Sequence, residues 1–175
     1  MRVEPQDAAA LRSALRSASD DLLRYFERRV RNREDAADLL AETMLQAWRR
    51  REVLPDEDER RRMWLFTIAA HVLANQRRAV RRRSALAEQL RSHLLHAEPV
   101  ADPAEATAVR DAVLRLHAAQ RELVMLIHWD GFTIVEAAEL LGLNPSTARS
   151  RYAAAREQLR QALTDAATPA PSGHR

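Results

Sequence analysis

Apolar residues recur every three or four positions along most of the chain, the period of helices that each bury one face. Leu11, Ala14, Leu15 and Ala18 mark a first amphipathic segment, and Leu22, Leu23, Phe26 and Val30 a second that ends near Asn32. Asn32 is a capping residue type, and Asp35 three positions on completes a box-like helix start. The helix opened there repeats its apolar pairs every four residues, at Leu39–Leu40, Thr43–Met44 and Ala47–Trp48, and stops in the charged run Arg49–Glu52. Pro55 and the four acids Asp56–Glu59 predict a loop. A further helix from about Arg61 carries Trp64, Leu65, Ile68, Val72 and Leu73 on its buried face, then runs out through Arg77, Arg78 and Arg81–Arg83.

The pattern fades after about Ser84. His96–Glu105 (HAEPVADPAE) holds two prolines, small residues and acids, which read as a linker. Helical periodicity resumes at Val109, Val113, Leu114 and Leu116, and again at Leu123, Val124, Leu126 and Ile127. The fold expected is all-α: two small helical domains, residues 8–95 and 109–164, joined by a flexible linker at 96–108 and followed by a tail at 165–175.

The sharpest local signal lies between Gly131 and Leu159. Thr133 and Glu136 form a T-x-x-E capping box that starts a helix, and Gly142 supplies the left-handed conformation that stops it. Leu143 is an apolar plug in the turn. Asn144 caps a second helix, with Pro145 at the first position, where a missing N–H costs nothing. Ala148, Tyr152, Ala155 and Leu159 make its inner stripe, leaving Ser146, Thr147, Arg149, Ser150 and Arg156 outside. That is the layout of a DNA-reading helix-turn-helix, whose second helix offers its early residues to the major groove. An αα-corner inside a bundle shares part of it.

Composition narrows the chemistry. The 175 residues include no cysteine and three glycines, so disulfides, thiolate metal sites and Gly-rich phosphate loops are excluded within the chain. No apolar run is long enough to span a bilayer, and the acid-bearing N-terminus lacks a signal core, so no membrane insertion or secretion is expected. All 28 basic residues are arginine, which is compatible with a GC-rich genome. Their placement says more: residues 61–95 hold eight arginines against the single acid Glu88. Such a block implies a polyanionic partner. Arg77, Arg78, Arg81, Arg82 and Arg83 are the candidate phosphate contacts, because a guanidinium fork can bind two oxygens. Phe66, off the apolar stripe, is the candidate for stacking on an unpaired base. His93 and His96 lie three apart without further ligands, and His71, His117 and His128 read as half-buried packing residues, so no metal and no cofactor is expected.

Two stretches together resemble one family, the extracytoplasmic-function (ECF) sigma factors of bacterial RNA polymerase. Asp38-Leu39-Leu40-Ala41-Glu42-Thr43-Met44-Leu45-Gln46-Ala47-Trp48 is similar to that family's core-polymerase-binding helix, and Trp64-Leu65-Phe66-Thr67-Ile68-Ala69 to the helix that follows. Leu116–Leu159, with Gln120-Arg121-Glu122 and the Leu140-Leu141-Gly142-Leu143 turn, resembles its promoter-reading domain. The resemblance implies a sigma factor of the bacterial cytoplasm with no catalytic residues of its own. It implies docking on core RNA polymerase through residues 38–51, with Asp38, Glu42, Thr43, Gln46 and Arg49 as contacts. The acidic loop and the 61–83 helix would engage the −10 element of promoter DNA, the linker would thread the RNA path, and the helix-turn-helix would read the −35 element. An anti-sigma factor is a common partner in such a family. The chain departs from the pattern at Ala41, where glutamine is usual, at Ala70-His71, where Arg-Asn is common, and at Ala153 and Ala154, where larger or basic residues are common.

Two other functions fit parts of the chain. A helix-turn-helix operator-binding regulator acting without polymerase leaves the 38–51 motif unexplained. A helical adaptor that binds only protein leaves the capping pattern of 133–145 unexplained.

Overall fold

The computed structural model describes residues 5–91 and 108–167, with side chains described over 8–82 and 109–164. The described residues are helical throughout, apart from short turns. The chain divides into two compact units, Met1–Glu98 and Pro99–Arg175.

In the first unit, α1 (Pro5–Glu27), α2 (Arg33–Arg49) and α3 (Asp58–Arg91) pack against one another, with a 3-10 turn at Arg51–Val53. The two apolar segments expected before Asn32 are one helix. Leu11, Leu15, Ala18, Leu22 and Phe26 stay in a single helical phase with no breaker between them, so nothing interrupts α1. It ends at Glu27, before Val30, whose N–H donates back to the Phe26 carbonyl at 3.0 Å. Asn32 then caps α2, its side chain accepting from Asp35 N–H at 2.7 Å. Leu11, Leu22 and Phe26 of α1, Ala36, Leu39 and Ala47 of α2, and Leu65, Ile68, Ala69, Val72 and Leu73 of α3 form the core.

Helix α3 starts at Asp58, three residues earlier than expected. Asp58 and Glu59 thereby occupy its first turn, where carboxylates favour the positive end of the helix dipole. Arg61 ties this start down. Its guanidinium donates to the Pro55 carbonyl at 2.7 Å, to Asp58 Oδ1 at 2.7 Å and to the Asp56 carbonyl. Although counted in the basic block, Arg61 is thus a clamp on the acidic turn.

The second unit contains α4 (Ala108–Arg115), α5 (Ala118–His128), α6 (Ile134–Leu140) and α7 (Pro145–Ala167). Val113 of α4, Leu116 in the turn after it, Val124 of α5 and Ala155 of α7 pack together, with Tyr152 and Leu159 against them. Helix α7 continues to Ala167, so residues 165–167, expected in the tail, are helical. The linker residues 96–107 and the tail 168–175 lie outside the described residues, as do His93 and His96.

Candidate nucleic-acid and polymerase interfaces

The local chemistry of the helix-turn-helix is complete. Thr133 Oγ1 accepts from Glu136 N–H at 3.3 Å while Glu136 Oε2 accepts from Thr133 N–H at 2.7 Å. At the other end of α6, Gly142 takes φ +62°. Its N–H donates to the Glu139 carbonyl at 3.1 Å, and that of Leu143 reaches the Ala138 carbonyl at 2.8 Å. This pair of bonds satisfies carbonyls that a helix end leaves open. Asn144 Oδ1 then accepts from Ser146 N–H at 2.9 Å and starts α7. Ala137, Ala138 and Ala148 are fully buried, so the two helices meet on methyl groups.

The buried face of α7 is Ala148 and Ala155, with Tyr152 and Leu159 half-buried. Ser146, Arg149, Ser150 and Arg156 are exposed and Thr147 is half-buried, so the five expected DNA-side positions share one helix with their polar groups accessible. Ala153 and Ala154 are exposed beside them. Arg151, absent from the expected set, is exposed as well. Further along, Glu157 is held by Arg160 at 2.6 and 3.0 Å and by Gln161 at 2.8 Å. Hydrogen bonds from Arg160, then from Gln161, lower its carboxyl pKa to about 2.

On α2 the expected polymerase contacts divide. Asp38, Glu42 and Arg49 are exposed, and Gln46, half-buried, donates to Glu42 Oε1 at 2.8 Å. Thr43 does not belong with them. It is 0% exposed, and its hydroxyl donates to the Leu39 carbonyl at 2.7 Å. Bonding the carbonyl one turn back lets a polar side chain sit in the core, so the sequence pattern did not separate it from its exposed neighbours. Asp38, Glu42 and Gln46 form the α2 wall of an open groove of about 560 Å³, and His71, Asn75, Arg78 and Arg82 form its α3 wall.

Sequence reasoning missed two residues on the adjoining face of α2. Leu45 is 43% exposed and Trp48 37%, although Trp48 was paired with Ala47 as core. The buried arc is centred on Ala36, Leu39, Thr43 and Ala47, which turns Trp48 outward. Arg12 and Arg51 lie 5.9 and 5.1 Å from its ring.

The basic half of α3 presents Arg77, Arg78, Arg81 and Arg82 at the surface, with Arg78 bonded to Asn75. Arg83 lies on the same helix, its side chain outside the described set. Phe66 must be removed from the DNA side. It is 1% exposed and meets the Tyr25 ring edge-on at 5.5 Å. Because α3 packs on both α1 and α2, its buried arc is wider than one stripe and takes in position 66. The histidines also differ from expectation, all three being exposed. His117 caps α5, and His128 lies 2.8 Å from the Tyr152 hydroxyl. Among the described residues no three His, Asp or Glu side chains are placed to hold a metal, and no helix is long and apolar enough to cross a membrane.

Comparison with known proteins agrees with this geometry. Residues 15–83 match the family model for sigma-70 region 2, and residues 106–159 that for sigma-70 region 4. The chain is 30% identical over 169 residues to the ECF RNA polymerase sigma factor SigL of Mycobacterium tuberculosis, covering 90% of this chain and 94% of SigL. It is 33% identical over 141 residues to the RNA polymerase sigma factor CarQ of Myxococcus xanthus, covering 79% and 80%. The sigma factor RpoE of Bartonella quintana, solved in complex with the anti-sigma factor NepR, aligns with a TM-score of 0.54 at 26% identity, over 91% of this chain and 95% of that one. CnrH shares the fold, with a TM-score of 0.63 at 24% identity over 93% and 95%. Two matched regions in the order of a sigma factor, on a chain that nearly spans SigL, make this protein a member of the ECF sigma factor family of RNA polymerase.

Proposed function

We propose that the first unit binds core RNA polymerase through the exposed face of α2 and engages the −10 region through the basic half of α3, while α7 of the second unit reads the −35 element. The observation that carries this is the division of exposed chemistry. Asp38, Glu42, Gln46 and Arg49 stand free of the core on one helix, Arg77, Arg78, Arg81 and Arg82 on another, and Ser146, Thr147, Arg149, Ser150 and Arg156 on a capped recognition helix. Leu45 and Trp48 add an apolar anchor beside the α2 carboxylates, the mixture of aromatic knob and charged surround that dominates protein interfaces. The chain supplies binding and orientation in the bacterial cytoplasm, and the polymerase supplies the chemistry. The linker 96–107 joins the two activities. An anti-sigma partner is part of the proposal, supported by the Bartonella quintana RpoE–NepR complex.

Asp38 and Glu42 are exposed, so reversing both charges removes no buried contact. Asp38→Arg with Glu42→Arg should weaken the complex with core polymerase at least tenfold and leave helical circular dichroism unchanged. Unaltered affinity in the doubly reversed chain would move the polymerase interface off α2.

A further inference from the structure

Full burial of Ala148 and Ala155 fixes the rotation of α7 in its unit. At about 100° per residue, the face opposite them carries Ser146, Ser150, Ala153 and Ala154 over the first turns, all exposed and all small, and Glu157 one turn further on. Arginines stand at the edges of that face, unevenly. Arg149, Arg156 and Arg160 fall on one flank, and Arg151, about 200° around the axis from Arg149, is alone on the other. Arg160 is committed to Glu157, and Arg156 lies 6.0 Å from the Tyr152 ring. Arg149 and Arg151 are exposed, and neither makes a hydrogen bond or ion pair among the described residues.

A helix whose outward face is small over its first turns can seat that part deeply in a major groove about 12 Å wide, with its two flanks facing the two sugar–phosphate walls. An uncommitted guanidinium at a flank presents paired N–H donors whose spacing matches phosphate oxygens. We infer that Arg151 anchors the DNA strand opposite the one faced by Arg149 and Arg156, so that the −35 duplex is gripped from both walls, with a single arginine holding the second wall. This rests on the reading of α7 as the −35 reader. Arg151 becomes a positioning residue: it sets the register of the helix across the groove and leaves base discrimination to Arg149 and the outward face.

The experiment uses the full chain with core polymerase on a promoter whose −35 phosphates are replaced one at a time, on either strand, by neutral methylphosphonates. With the natural chain, one or two positions on each strand should lose affinity by about tenfold, the scale of a charge-assisted hydrogen bond. Arg151→Ala should abolish sensitivity on one strand only, and Arg151→Lys should restore part of it. Since position 151 is exposed, the melting temperature should not change. Sensitivity that persists on both strands in Arg151→Ala, or that falls equally on both, overturns the inference while leaving α7 as the reader. Absence of sensitivity on either strand with the natural chain overturns the inference and the −35 reading together.

Discussion

Replacing Phe66 separates a core role from a DNA role. The ring is 1% exposed, meets Tyr25 edge-on at 5.5 Å and has the Arg62 guanidinium 4.9 Å from its centroid. Truncation to alanine in such a site costs roughly 3–5 kcal/mol through lost transfer energy and the cavity left behind. The lost edge-to-face pair with Tyr25 adds ~0.5–1.5 kcal/mol. For a unit of this size each kcal/mol moves the melting temperature by roughly 4–8 °C, so Phe66→Ala should lower the first transition by more than about 12 °C. Phe66→Leu keeps most of the volume and should cost under ~1.5 kcal/mol. The assay is thermal denaturation of the full chain, followed by binding of the chain with core polymerase to −10 single-stranded DNA. Phe66→Leu should retain that binding. A Phe66→Leu protein that melts normally but loses −10 binding would refute the reasoning and return the ring to the DNA surface.

Three further substitutions test other parts of the structure. Gly142→Ala places a Cβ in open space but at φ +62°, so only backbone strain of ~1–2 kcal/mol is added; the second unit should melt lower, and an unchanged transition would mean that the turn relaxes freely. Arg149→Ala should relax preference at one or two −35 positions by ~1–3 kcal/mol, measured by titrating matched and altered promoters; equal loss on all promoters would make Arg149 a backbone contact. Arg82→Ala should weaken every promoter alike and reduce the salt slope by about one counterion, whereas an unchanged slope would take Arg82 off the phosphates.

What was legible in the sequence was what is decided within a few residues. The capping box at Thr133–Glu136, the positive-φ turn at Gly142 and the Asn144 cap are local hydrogen-bonding choices, and the structure forms each as expected. The Asn32 cap is another. Less legible was the width of each buried arc, which depends on how many neighbours a helix meets. One stripe of apolar residues locates the centre of an arc, but α3 packs on two helices and so buries Phe66 as well. Thr43 was misread because hydroxyl type alone does not reveal whether a carbonyl one turn back will satisfy it. Trp48 was misread in the opposite sense: a large ring beside a buried alanine lies about 100° away on the helix and faces out. With these corrections the interface proposed on α2 comprises Asp38, Glu42, Gln46 and Arg49 together with Leu45 and Trp48, and the DNA-side positions proposed on α7 gain Arg151.

Promoter-directed initiation is tested most directly by run-off transcription with purified core polymerase, with and without the chain, on a library of DNA fragments carrying varied −35 and −10 elements. Addition of the chain should produce discrete transcripts from a subset of fragments that share both elements at fixed spacing, and Arg149→Ala should broaden that subset at the −35 side. Transcripts no more selective than those of core polymerase alone, from a chain that is folded and binds the polymerase, would contradict it.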